Sequence, residues 1–353
     1  MKMGYSWGSD TSTSWGGGGF SYGSAKKSYD EDKVYVPKAT KAQMNSAYAL
    51  STKLMDAALP KKEKELLEKL TKEDVLVVPG QYDQVQDVLK AAGTPHTVSS
   101  AQKRLSPEQI LLINCPGNNL NVTYKGTSGL EAVRGFVEDG GYVVSTDWAL
   151  TQIVEGFPGY ISKGGKNTAD DVVEVDLVAS KSPYTRGLGE GSLKPVWWLE
   201  SSSYPIKIGR SKDVDVLLGS EEMRQKYGEM PIAVKFAFGE GRVIHVTSHF
   251  YLQTAKSKYE AQAKKTGLDF ATKYIGMAAD EASEIKGLGE ISFGALESSY
   301  TSLRFLHNIF VQKLKDKSGL EKKLDPQEVK ELGTKLAKSL KQLPEGKKSK
   351  KLI

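Results

Sequence analysis

The chain has one cysteine in 353 residues, so an intramolecular disulfide is excluded and a reducing, cytoplasmic setting is the simpler expectation. No apolar run approaches membrane-spanning length, and no basic segment followed by an apolar stretch opens the chain, which points away from a membrane anchor or a secretory leader. The glycine-rich stretch 156–166 (GFPGYISKGGK) lacks the GxxxxGK[ST] spacing of a phosphate cradle. Charge of one sign is scarce except at one end. Residues 311–353 hold 13 lysines against 6 acids, or +7, so of the formal +6 the remainder is close to neutral. The run GKKSKK at 346–351 has no aromatic to stack on bases. It reads first as a solubilising terminus, with contact to nucleic acid or an acidic surface as the lesser alternative.

What is present divides the chain into four parts. Residues 1–33 open with glycine and serine punctuated by Tyr5, Trp7, Trp15, Phe20 and Tyr22, too glycine-rich to offset the entropy of ordering, and are expected to be disordered. Such aromatics serve as stickers for a partner or are incidental to a tether. Residues 34–73 form a helical extension: 38–59 place Met44, Ala47, Tyr48, Leu54, Met55 and Ala58 on one stripe, and 61–70 follow with Leu66, Leu67 and Leu70. Residues 74–320 carry the main domain, with a helical insertion at about 255–290. In 321–353, Asp325, Pro326 and Glu328 start a helix whose Leu332, Leu336, Leu340 and Leu343 need a partner surface.

The main domain repeats one grammar, an apolar run that stops abruptly in small or polar residues: VLVVPG (75–80), ILLINCPG (110–117), GGYVVSTD (140–147) and GEGRVIHVTSHF (239–250). Fully apolar strands alternating with helices at 82–92 and 130–138 predict a flavodoxin-like, doubly wound α/β fold, its mostly parallel sheet covered by helices on both faces. Strand ends of such a sheet meet along one crevice, where ligands bind. The candidates there are Gly80, Gln81, Asn114, Cys115, Asn118, Thr146, Asp147, Trp148, Ser248 and His249. Asp83 reads as a helix cap or first-turn acid, and His96 as a solvated or structural residue beside an edge strand. Segment 170–178 (DDVVEVDLV) alternates as a half-exposed strand, while 196–199 and 206–208 read as a hairpin-like excursion with paired tryptophans that plug a core or line a platform.

Taken in order, these segments with SPYTRGL (182–188) and DVLLGS (215–220) resemble the class I glutamine-amidotransferase-like superfamily, nearest its trehalose-utilisation-protein-like branch. The resemblance covers roughly 74–254 and a closing helix near 303–314. It implies a nucleophile elbow after the GG strand and a histidine delivered by the GxGRV strand. An active elbow places a cysteine at a helix N-terminus, where its thiolate is favoured. Here Ser145, Thr146, Asp147 and Trp148 stand at those positions, Tyr251 replaces the glutamate two residues after His249, and Ser182 replaces the histidine of HPxxxGL. The resemblance therefore implies a fold that has lost glutaminase chemistry.

The remaining chemistry stays open. Cys115 is a buried small hydrophobe or the one nucleophile left. Asp147 is an N-cap, a general base or a metal ligand, with the cap sufficient to explain it. His245 and His249, four apart in a strand, are expected on one face, where Asp147 would have to complete a metal site; no metal and no cofactor is expected. The expected function is a non-catalytic scaffolding module that engages other proteins through the N-terminal tail and terminal helices. The alternative is a hydrolase or sugar-modifying enzyme using Asp147, His249 and Cys115.

Overall fold

The computed structural model of the chain describes residues 35–189, 194–251 and 253–323. Eight strands build the central sheet: β1 (Val75–Val78), β2 (Thr97–Val98), β3 (Ile110–Ile113), β4 (Tyr142–Thr146), β5 (Asp176–Leu177), β6 (Val214–Gly219), β7 (Pro231–Phe238) and β8 (Gly241–Val246). They lie in the order β5-β6-β7-β8-β4-β3-β1-β2. The β2-β1-β3-β4-β8 half is parallel throughout, and β5, β6 and β7 add antiparallel pairs beyond β8. The run β2-β1-β3-β4 is the flavodoxin-like order.

Alternation explains why these strands are apolar at every position. Val75 and Val77 of β1 point into one core layer with Ile110 and Leu112, while Leu76 and Val78 point into the opposite layer with Leu111 and Ile113. The second layer is closed by α4 (Gly129–Glu138) and α5 (Leu150–Gly156) through Val133, Phe136, Val137 and Ile153. The first is closed by α1 (Lys41–Ala58), α3 (Val85–Ala91) and the 31-residue α6 (Phe293–Lys323). Thr40 starts α1 with a capping box: its side chain accepts from Gln43 N, and Gln43 Oε1 accepts from Thr40 N at 2.9 Å. The α1 stripe of Met44, Ala47, Tyr48, Leu54 and Met55 is buried in its own domain, and Tyr48 Oη is 2.8 Å from Ser302 Oγ on α6; Ala58 is exposed.

Several local expectations are corrected. The helix expected at 82–92 begins at Val85. The alternating stretch 170–178 is not one strand: Asp171–Glu174 pairs with Val196–Leu199, and Asp176–Leu177 joins the main sheet as β5. Nor do 196–199 and 206–208 form a hairpin, because Ile206–Ile208 pairs with Ile161–Lys163. A separate small sheet places Val122–Tyr124 between Lys103–Arg104 and Thr127–Ser128. The closing helix starts at Phe293 and runs to Lys323, so the boundary expected at 320/321 falls inside it. The aromatic N-terminal tail and the helix expected at 325–343 lie outside the described residues.

A second short helix, α2 (Lys61–Leu67), joins α6 through charge. Glu63 accepts from Arg186 at 2.8 Å and from Arg304 of α6 at 3.0 Å. Near the start of α6, Glu297 is 1% exposed, and neither of its carboxylate oxygens has a hydrogen-bond partner among the described residues. Burial, and then the charge of Glu174, push this carboxyl well above the usual range, against the opposing pull of Lys258. The folded state therefore holds a proton that the unfolded chain loses above pH ~4.3, and stability falls as pH rises past that point. Glu297→Gln keeps the shape and removes the ionisation. It is expected to add about 1 kcal/mol at pH 7 and to flatten the pH dependence between pH ~4 and ~7, as read by urea unfolding. A loss of stability at pH 7 would argue for an ionised, partnered Glu297.

Candidate functional site

Three strand ends bring the site together. β3 ends at Ile113 and hands on to Asn114 and Cys115; β4 ends at Thr146 and hands on to Asp147; β8 ends at Val246, three residues before His249. Gly80, just past β1, is what allows the first of these to close up, since a Cβ there would stand 2.1 Å from Cys115 O. Gln81 N and Tyr82 N both donate to that same carbonyl, at 3.0 and 3.2 Å.

At the centre are a thiol, a carboxylate and an imidazole, each 1–2% exposed. Cys115 Sγ lies 3.5 Å from Asp147 Oδ2, and His249 Nε2 lies 3.1 Å from the same oxygen. The imidazole contact is an ion pair by distance, yet it makes no aligned hydrogen bond, and Nδ1 has no partner among the described residues either. Asp147 Oδ1 accepts from Tyr204 N at 3.3 Å. The expected N-cap role of Asp147 is corrected: its side chain caps nothing, and its backbone sits at φ 45° in the sharp turn from β4 into the short helix Asp147–Ala149. Asp tolerates this left-handed region better than most residues, and elbows that present a reactive group use such a turn.

A second carboxylate ties the layer beneath. Asp83, expected as a helix cap or first-turn acid, is fully buried, and its Oδ2 accepts from Thr146 Oγ1 at 2.8 Å, while Oδ1 accepts from Gln84 N at 2.8 Å and Tyr251 N at 3.3 Å. Cys115 N in turn donates to Thr146 Oγ1 at 3.2 Å. The cap contact at α3 comes instead from Asn114, whose Oδ1 accepts from Val85 N at 3.3 Å.

Electrostatics follow from this crowding. Burial first, then the charge of Asp147, holds the Cys115 thiol far above its ordinary range, so it is protonated and a poor nucleophile. Burial would lower the His249 pKa, but contact with Asp147 and the charges of Asp83 and Asp147 outweigh it and push it up. His245 behaves oppositely. It lies within β8, its Nδ1 is 2.8 Å from Ser145 Oγ, and burial pulls it down to about 3, so it is neutral. The expectation that His245 and His249 share a face is corrected, because strand alternation stops at Val246.

Next to Asp147 in sequence, Trp148 joins a small aromatic group. It stacks on Tyr204 at 5.9 Å, meets Tyr82 edge-on at 5.3 Å, and donates from Nε1 to Ser202 O at 2.7 Å. Ser248 Oγ donates to Trp198 O at 2.6 Å, while Gln81 and Asn118 are exposed rather than part of the cluster. A hollow of about 940 Å³ lies elsewhere, against α1, lined by small side chains that include Ala42, Ser46, Ala49, Ala263 and Ala295. Two residues that hold the site carried no usable signal in the sequence: Asp83, whose partners lie 63 and 168 positions away, and Tyr204, which contributes a backbone N–H.

No family model and no curated protein matches the chain. Solved structures similar to it include a Thermoplasma acidophilum protein described as a GMP synthase subunit, 11% identical over 70% of this chain and 96% of that one, with a TM-score of 0.40. A glutamine amidotransferase from Thermotoga maritima is 12% identical over 67% of this chain and 97% of that one, at 0.37. A β-galactosidase from Rahnella sp. R3 is 15% identical over 51% of this chain, at 0.32, and this chain spans 29% of its length. A glutamine amidotransferase is thus among the solved structures that this chain matches at low identity.

Proposed function

We propose that this is a non-catalytic, amidotransferase-like domain used as a protein-binding or scaffolding module of the cytoplasm. The carrying observation is the buried strand-end cluster. The elbow position holds Asp147, and the only thiol is buried and protonated beside it. A glutaminase needs an exposed thiolate with backbone amides free to receive an oxyanion. The aromatic N-terminal segment and the C-terminal helix expected from the sequence would supply the surfaces for partners.

One observation favours a second reading, a hydrolase of the trehalose-utilisation-like branch. Asp147 at positive φ in an elbow, 3.1 Å from His249, is the arrangement of an activated acid–base pair. The readings part on turnover. Incubated with glutamine and with nitrophenyl glycosides, the full chain is expected to give no product above a His249→Ala control. Partner capture is expected to fall when the chain is started near Val34. Turnover that disappears in His249→Ala would reverse the conclusion.

A further inference from the structure

We propose that Cys115, Asp147 and His249 form a binding site for one divalent transition-metal ion, zinc by its ligand set, each residue giving one ligand atom. This goes beyond the scaffolding reading and does not depend on it.

The spacing carries the proposal. Sγ, Oδ2 and Nε2 all lie within 4.8 Å of one another. A tetrahedral zinc with bonds of about 2.3 Å to sulfur and about 2.0–2.1 Å to nitrogen and oxygen separates its ligands by about 3.5 Å for S···O and about 3.3 Å for N···O. The observed separations are 3.5 Å from Cys115 to Asp147 and 3.1 Å from His249 to Asp147. Both separations to the shared Asp147 oxygen therefore match a tetrahedral ion to within a few tenths of an ångström, and the thiol and imidazole lie within 4.8 Å of each other.

An independent observation points the same way. His249 is 1% exposed, and neither ring nitrogen makes an aligned hydrogen bond among the described residues. A buried imidazole normally makes aligned hydrogen bonds; this one instead places Nε2 3.1 Å from the carboxylate oxygen that also meets the thiol, a disposition that suits a shared metal ion. Asp147 is also divided suitably, with Oδ1 held by Tyr204 N and Oδ2 turned toward the thiol and imidazole. Charge balances on binding. The S–H bond breaks and its proton leaves to solvent, as does the second ring proton of any imidazolium, so that thiolate plus carboxylate neutralise a doubly charged ion while neutral imidazole coordinates through its lone pair. Thiolate and imidazole together select zinc over magnesium or calcium. The ligands come from just past β3, β4 and β8, so the ion joins three strand ends, and the burial of all three ligands makes its exchange slow.

The full chain, unfolded with chelator and refolded without metal, is titrated with cobalt(II) alone as the optical probe. One equivalent is expected, with tetrahedral visible bands and a near-ultraviolet sulfur-to-cobalt charge-transfer band. Cys115→Ser is expected to lose the charge-transfer band, and His249→Ala to lose stoichiometric uptake. His96→Ala, whose ring bonds Thr94 O in a separate loop, keeps both. Zinc is expected to raise the thermal midpoint of the parent and leave that of His249→Ala unmoved, a readout that holds even if one variant is less stable. No uptake by the parent, or uptake that survives Cys115→Ser and His249→Ala combined, would overturn the proposal.

Discussion

Glu63→Ala is expected to destabilise the chain by about 3–5 kcal/mol, the usual consequence of removing one partner of a buried ion pair. Glu63 and Arg304 are each 5% exposed, and the carboxylate bridges Arg304 at 3.0 Å and Arg186 at 2.8 Å. Removing it leaves the Arg304 guanidinium buried, its Nε still donating to Arg186 O at 3.2 Å but its charge without a counter-ion at that position. The loss is a large part of a typical total stability of about 5–15 kcal/mol and corresponds to roughly 10 °C in thermal midpoint for a chain of this size. Arg186→Ala provides the comparison. Its side chain is 56% exposed, so its pairing is screened, and the loss is expected to stay below about 1 kcal/mol. Equal losses in the two variants would show that Glu63 matters through α2 packing rather than through the buried charge.

The pair also shows where sequence reading reaches its limit. The stripe of α1 and the runs VLVV and ILLI were legible because one period, 3.6 or 2, is written in a single segment and burial on both faces leaves no polar position. The convergence of strand ends was legible from another signal: each run stops abruptly in small or polar residues, and Cys115, Asp147 and His249 stand just beyond three such stops. Glu63 was not legible, because its meaning lies in Arg186 and Arg304, 123 and 241 positions away. Asp83 misled, since an acid before a helix has a sufficient local explanation in capping, whereas its partners Thr146 and Tyr251 come from other strand ends. His245 and His249 misled differently: the period-2 rule holds only while the strand lasts, and β8 ends between them. In DDVVEVDLV the alternation is real, but the chain changes sheets at Val175, which no alternation pattern encodes.

Gly80→Ala tests whether the closed state of the cluster is a property of the fold. A Cβ at this position would lie 2.1 Å from Cys115 O and 2.7 Å from Asn114 Cβ. The carbonyl is backbone, fixed by Gln81 N and Tyr82 N and by the β1–β3 pairing just behind it, so it cannot swing aside as a flexible side chain would. Relief requires the two strand ends to part, and a loss of more than about 3 kcal/mol is expected, above the usual range for one added methyl in a packed core. Gly289→Ala, where an added Cβ meets nothing within 4 Å, is expected to change little. The same variant reports on the site. Cys115 in the parent is 1% exposed and protonated, so a thiol reagent is expected to leave the native chain unmodified. Parting β1 from β3 withdraws the carbonyl of Cys115 itself, so Gly80→Ala is expected to label at Cys115 under conditions where its helices remain folded. Prompt labelling of the parent would mean that the buried cluster opens readily, and that the strand ends are reachable by a substrate after all.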